Sequence, residues 1–302
     1  MEIKRRTVPN HLKVRRVLSQ RMKLADEALR QLQSDEKGFE GENDFDQHIN
    51  RSPASTYLQL HDLLLQWHQN TFQIDSVLIG PHIIYLFDVK TFEGEFYIEG
   101  NRWFSITGKE INNPIHQLRR SEALFCSLIE TLGIHLPVES KIIFVHPEFT
   151  LYQANRNLPI ILPTKLNAYL KSIEPVTVDR SLIEKAQKLA SLHIDRSPFE
   201  QLKIPSYTYE SLKKGTTCGM CGERSVQVQG KNLICSWCEH RENLETGIIR
   251  MVEEYRLLFP NRLITVSSIS DWCRLNIDRN KLYRILRKHY EMVGSGKNTF
   301  YR

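Results

Sequence analysis

Cys218, Cys221, Cys235 and Cys238 constrain this chain more than any other residues in it. They form two C-x2-C pairs separated by thirteen residues. Four thiolates at this spacing make the closed tetrahedral shell of a structural zinc site. Gly219 and Gly222 let the backbone turn so that its amides face the sulfurs. Residues 225–229 and 232–234, on either side of Gly230, read as a small hairpin between the two pairs. The expectation is a zinc ribbon over residues 216–240. A redox C-x2-C is the competing reading, but it needs a βαβ context and only one pair. The other two cysteines, Cys126 in an apolar helical stretch and Cys273 beside Trp272, read as core residues.

This cysteine usage suits a reducing compartment. The opening MEIKRRTVPNHLKVRR lacks the apolar region of a secretory signal, and no run of about 18 apolar residues occurs. The chain therefore reads as cytoplasmic, without a membrane span.

Hydrophobic periodicity lays out the rest. Residues 11–33 carry apolar residues at mixed three-to-four spacing, which predicts a helix stopped by Gly38. A second helix is expected from about Gly41, carrying Glu42, Phe45 and Ile49, and ending at Ser52-Pro53. Strands are expected at 73–80, 82–90, 141–145 and 158–162, with a hairpin over 95–106. Asn113-Pro114 caps and opens a helix to about Leu132, Pro163-Thr164 opens another to about Ile173, and a charged helix follows at 179–192. This order describes an α/β core around one mixed sheet.

Charge is unevenly spread. Residues 1–37 carry ten Lys and Arg against five Asp and Glu, 38–210 carry 15 against 21, and 211–302 carry 16 against nine. Basic ends around an acidic middle suggest that the ends meet a polyanion while the middle gathers carboxylates. Solvated helix faces would give the same counts.

The carboxylates that matter are Asp75 and Asp88, with Lys90. Side chains alternate along a strand, so Asp88 and Lys90 project from one face and Val89 from the other. Asp75 lies on the preceding strand, one short turn away. Two carboxylates at the ends of core strands are costly unless a cation compensates. Mg²⁺, which prefers oxygen ligands, would do so, and Lys90 would orient an attacking water. A plain ion pair between Asp88 and Lys90 is the alternative.

Gly41-Glu42, Gln73-Ile74-Asp75, Phe87-Asp88-Val89-Lys90-Thr91 with Gly94, and Asn113-Pro114 with Gln117 follow one another in this order. Over about residues 37–150 the chain thereby resembles the nuclease-related domain (NERD) family, which is similar to the PD-(D/E)xK restriction-endonuclease-like superfamily. The resemblance implies a restriction-endonuclease-like core. It places Asp75, Asp88 and Lys90 at the catalytic strand positions and Glu42 as the helical acidic residue that completes the site. It puts Gln117 on the helix that helps position the site. It also implies a catalytic Mg²⁺ or Mn²⁺ held by Glu42, Asp75 and Asp88. The family usually has Glu where this chain has Asp88, one methylene shorter, which bears on metal geometry.

The C-terminal part reads as helical. A helix over 244–259 is followed by two short helices, the second rich in Arg and Lys, and then by 294–302 in the manner of a wing. This resembles a helix-turn-helix with Arg279, Lys281, Arg284 and Lys288 as nucleic-acid contacts and Lys297 on the wing. Similar bundles also bind proteins. The expected division is a basic N-terminal helix (1–36), a nuclease-like domain (37–173), a helical linker (174–215), the zinc ribbon and a helix-turn-helix-like domain (241–302). The expected function is metal-dependent hydrolysis of DNA phosphodiester bonds, with RNA as a second substrate class and a catalytically weak nucleic-acid-binding or scaffold protein as the alternative.

Overall fold

Ile84 and Phe87 are completely buried and Leu86 nearly so, because the strand that carries them lies inside a six-stranded sheet. The structure, a computed structural model, describes residues 1–194 and 204–302. In chain order the first elements are β1 (Glu2–Lys4), α1 (Asn10–Arg21), α2 (Asp26–Asn50), β2 (Leu58–Trp67), β3 (Asn70–Ile79) and β4 (Ile84–Lys90). Next come β5 (Glu95–Glu99), β6 (Arg102–Ser105), β7 (Glu110–Ile111), α3 (Pro114–Thr131), β8 (Val138–Phe144) and β9 (Thr150–Tyr152). They are followed by β10 (Ile160–Ile161), α4 (Pro163–Ser172), α5 (Arg180–Ala190), β11 (Val226–Gln229), β12 (Asn232–Cys235) and β13 (Arg241–Asn243). The last are α6 (Leu244–Leu258), α7 (Val266–Cys273), α8 (Arg279–His289), β14 (Met292–Val293) and β15 (Phe300–Tyr301). Two compact units result: Met1–Pro9 with Gln33–Glu200, and Asn10–Leu32 with Gln201–Arg302.

In the first unit the sheet order is β1-β2-β3-β4-β8-β10. The pairs β2–β3 and β3–β4 are antiparallel, and β1–β2, β4–β8 and β8–β10 are parallel, so the sheet is mixed. One face packs Leu60, Ile74 and Leu86 against Phe125 and Leu128 of α3 and Leu182 and Leu189 of α5. The other packs Leu78, Phe87 and Val89 against Phe45 and Ile49 of α2 and Leu166 and Leu170 of α4. Each such fully buried side chain contributes about 1.5–3 kcal/mol. A second sheet, β7-β6-β5-β9, covers Trp103, Phe144 and Phe149, the last two stacked 3.8 Å apart.

Three expectations change. The helix expected over 11–33 is two helices, α1 and α2, and Gly38 does not stop the second. A mid-helix glycine costs only about 1 kcal/mol, which the burial of Phe45 and Ile49 about two and three turns later offsets. Gly41 does not begin a helix but lies within α2, where a Cβ would come 2.1 Å from Thr91 Cγ2. Its role is close approach. Cys126 is half-buried rather than a full core residue, whereas Cys273 is buried.

In the second unit, β11, β12 and β13 form an antiparallel sheet that includes the expected hairpin. Ile248, Met251 and Tyr255 of α6 pack with Ile269 and Trp272 of α7 and Leu282 and Leu286 of α8. Thr265 and Ser268 cap α7 reciprocally, and Arg274, in the left-handed conformation at φ +47°, ends it. Asp278 caps α8 by accepting the Asn280 N–H at 2.7 Å. The pair β14–β15 follows as an antiparallel ladder. The Lys297 side chain and the part of the 174–215 segment at 195–203 lie outside the described residues. Among the described residues no helix is long and apolar enough to cross a membrane.

Candidate active site and the four-cysteine site

The candidate site begins where the β2–β3 ladder is interrupted. Pairing runs through His61 with Ser76 and resumes at Leu63 with Ile74, skipping Asp62 and Asp75. Asp62 has φ +54°, a conformation that strands do not adopt. The buried alternation steps by one residue there: Leu58 and Leu60 give way to Leu63 and Leu65, and Phe72 and Ile74 to Val77 and Ile79. Asp75 is thus released from regular pairing. Its Oδ2 accepts the Val89 N–H of β4 at 2.7 Å.

On β4, Phe87 and Val89 pack toward α2 and α4, so Asp88 and Lys90 take the opposite face, as the alternation requires. Lys90 Nζ donates to Asp88 Oδ1 at 3.0 Å and to Gln117 Oε1 at 3.3 Å. Gln117 Nε2 lies 3.5 Å from the same Asp88 oxygen. Gln117 is carried by α3, whose start is fixed by Asn113 accepting the Ile115 N–H and by Pro114. The sequence-expected residues Asp88, Lys90 and Gln117 are therefore brought together directly.

Glu42 arrives from α2, and it is held by a residue that sequence reasoning did not single out. Arg6, just beyond β1, buries its side chain and donates through Nη1 to Glu42 Oε2 at 2.5 Å and through Nε to Asp46 Oδ2 at 2.7 Å. Its Nη2 reaches the Asp75 carbonyl at 2.7 Å and Ser76 Oγ at 3.1 Å. His61 Nδ1 lies 2.9 Å from Asp46 Oδ1. Arg6, Asp46, His61 and Ser76 thus make one buried polar network under the acidic cluster. Asp46 stands four residues after Glu42 on the same helix face, a spacing that points to it. Arg6 has no comparable local signal.

The electrostatics are uneven. Burial, then the Asp75 charge, pushes the Glu42 carboxyl up to about 8. Burial, then Asp75 again, pushes Asp88 up to about 6 despite Lys90. Burial also raises Asp75. Burial works the same way on Asp46, but the hydrogen bonds with His61 and Arg6 outweigh it and hold that carboxyl below the usual range. Asp75 therefore repels both Glu42 and Asp88, and the resident cations leave that repulsion uncompensated.

A hard divalent cation fits this donor chemistry. Asp88 Oδ2 is buried and lies 2.8 Å from Lys90 Nζ, yet accepts no hydrogen bond of its own. Oxygen-only donors with excess negative charge suit Mg²⁺. As placed, Glu42, Asp75 and Asp88 do not bring one oxygen each within 4.8 Å of one another. Octahedral Mg²⁺ requires neighbouring oxygens at about 3 Å and opposite ones at about 4 Å. One ion takes all three only if a side chain shifts.

The cysteines need no such shift. All four Sγ atoms lie within 4.8 Å of one another, with Cys218–Cys238 at 3.6 Å and Cys221–Cys235 at 3.7 Å. Zinc–sulfur bonds of about 2.3 Å set tetrahedral sulfurs about 3.8 Å apart, so this cluster can hold zinc. Arg250 braces the first knuckle by donating to the Thr217 carbonyl at 2.7 Å while paired with Glu242 at 2.8 Å.

Residues 37–145 match the family model of the nuclease-related domain. No curated protein and no solved structure matches the chain. The nuclease-related stretch contains Glu42, Asp75, Asp88, Lys90 and Gln117. It excludes Arg6, the four cysteines and all of α6, α7 and α8. Arg279, Lys281, Arg284 and Lys288 lie on the exposed side of α8, whose buried side carries Leu282, Ile285 and Leu286.

Proposed function

We propose that the nuclease-related stretch is a metal-dependent phosphodiesterase of the PD-(D/E)xK type acting on DNA, and that the second unit supplies nucleic-acid affinity. The observation that carries this reading is the surplus of buried negative charge at Asp75 and Asp88 beside Lys90. Burying such a surplus costs stability, and strongly shifted groups gather where chemistry is done. Asp75, Asp88 and, once its bond to Arg6 yields, Glu42 would hold Mg²⁺ or Mn²⁺. The bound ion supplies charge neutralisation of the scissile phosphate and a lowered pKa for the attacking water.

The chain's own residues set the rest. Lys90, an ammonium two residues beyond Asp88, donates to a phosphate oxygen or to the water and fixes its line of approach. Gln117 holds Lys90 on the side away from α2. Arg6 and His61 orient Asp46, which keeps Arg6 against Glu42. The four cysteines bind a structural zinc that rigidifies β11–β13, and the basic side of α8 contacts the backbone of the nucleic acid.

One observation favours a second reading, a binding protein with little catalysis: Lys90 is paired with Asp88, and Glu42 with Arg6, without any added ion. A cleavage assay separates the two. Linear, supercoiled and single-stranded DNA and RNA are incubated with the full chain and Mg²⁺, alongside Asp75→Ala and Lys90→Ala. Cleavage by the wild type alone supports hydrolysis. Equal cleavage by all three proteins refutes it, and binding without cleavage supports the second reading.

A further inference from the structure

Outside the acidic cluster, the second unit has a concavity of about 330 Å³ bounded by the β11–β12 turn, the start of α6 and the face of α8. Volumes of this size hold small ligands. Four cations from two different elements line it: Lys231 from the turn, and Lys281, Arg284 and Lys288 from α8. Its floor is apolar, formed in part by Leu244 and Ile285. The turn is fixed, because the Leu244 N–H donates to the Lys231 carbonyl at 2.9 Å and the β11–β12 ladder continues to Gln229 with Asn232.

The cations are not equally engaged. Lys288 donates to Glu245 Oε1 at 2.6 Å, and His289 bonds the same oxygen. Lys231, Lys281 and Arg284 have no carboxylate partner among the described residues. Like charges converge on one concavity at an energetic cost unless an anion enters. Glu245, which also lines it, neutralises only the Lys288 side. Its carboxyl is held below the usual range by hydrogen bonds from His289 and then Lys288, so it stays ionised.

We propose that this concavity seats a backbone phosphate of a nucleic acid, gripped by Lys231, Lys281 and Arg284, with Glu245 as a resident anion competing for Lys288. The inference rests on the reading of the second unit as a nucleic-acid binder and deepens it in two ways. It makes the cysteine-rich hairpin and α8 one composite site, since Lys231 and the α8 cations face the same space. It also assigns Lys281 and Arg284 to phosphates rather than base edges, so they position the strand without reading its sequence.

The test measures binding of the full, zinc-loaded chain to two unrelated fluorescent duplexes over a range of salt. Mg²⁺ is omitted so that cleavage plays no part. Lys231→Ala, Lys281→Ala and Arg284→Ala are each expected to weaken both duplexes equally, on the order of fivefold, and to reduce the log–log salt slope by about 0.9. Glu245→Gln is expected to tighten binding. Arg180→Ala, on the exposed side of α5, is the control expected to leave it unchanged. Zinc content and far-UV circular dichroism check that each variant is folded. A folded triple variant with wild-type affinity and slope overturns the proposal. So does a loss confined to one duplex, or weaker binding by Glu245→Gln. Failure to bind at low salt also overturns it, while the cleavage assay with Lys90→Ala independently decides the nuclease reading.

Discussion

Replacing Glu42 by Gln removes a carboxylate that the fold holds against burial and against Asp75. The Glu42 carboxyl rises from 4.5 to about 8 on folding. A group whose folded pKa is raised binds its proton more tightly in the folded state, so folding is favoured at low pH and stability falls as pH climbs from 4.5 through about 8. The whole rise corresponds to roughly 5 kcal/mol at most. Glutamine also replaces the hydrogen bond that the neutral Glu42 carboxyl makes with Arg6, a pH-independent difference of about 0.5–1.5 kcal/mol. Comparing two pH values cancels that constant. Between about pH 6 and pH 8.5 the unfolded carboxyl is already ionised while the folded one titrates, so the wild type should lose about 2–3 kcal/mol relative to Glu42→Gln. Urea unfolding of both proteins, zinc-loaded and without added Mg²⁺, measures the difference. Wild-type stability that holds constant or rises relative to Glu42→Gln between these two pH values would refute the electrostatic account of this cluster.

Gly41→Ala places a methyl 2.1 Å from Thr91 Cγ2 and 2.9 Å from Val145 Cγ2. Despite the better helix former, it should cost about 1–3 kcal/mol by overpacking, and Thr91→Ala should recover part of that in thermal unfolding. Arg21→Leu strands Glu254, its 2.6 Å partner in the buried core, and should cost about 3–5 kcal/mol, with Glu254→Gln restoring some of it. Stripping zinc, or Cys235→Ala, should raise hydrogen exchange throughout 226–243 while leaving 58–79 protected. Equal protection in both segments with and without metal would remove the structural role assigned to the cysteines.

The parts of the fold legible in the sequence are those where a local rule sufficed. The two C-x2-C pairs announce their convergence through spacing, and Asn113-Pro114 marks the start of α3 by cap and ring geometry. The apolar run of β4 marks a buried strand because both its faces are covered. No local rule marks β2 as a strand. Its alternation is broken at His61 and Asp62, where the chain serves the polar network instead of the core. Gly38 and Gly41 suggest helix boundaries that the fold does not have, since a helix with enough buried contacts carries a glycine, and Gly41 is there because Thr91 and Val145 leave no space. In the candidate site, Asp75, Asp88, Lys90 and Gln117 share elements that are neighbours in the sheet or pack on it. Arg6 reaches Asp75 and Ser76 across almost seventy residues of chain, and only tertiary structure reveals that it holds Glu42.

The most direct test of the central claim is the initial rate of DNA cleavage as Mg²⁺ is titrated into the full chain, with Lys90→Ala measured in parallel. The account predicts no cleavage without the ion, saturable cleavage with it, and a loss of at least about a hundredfold in Lys90→Ala, in line with removal of one positioned charge at the reacting phosphate. Cleavage that ignores Mg²⁺, or that survives in Lys90→Ala at the wild-type rate, would contradict it.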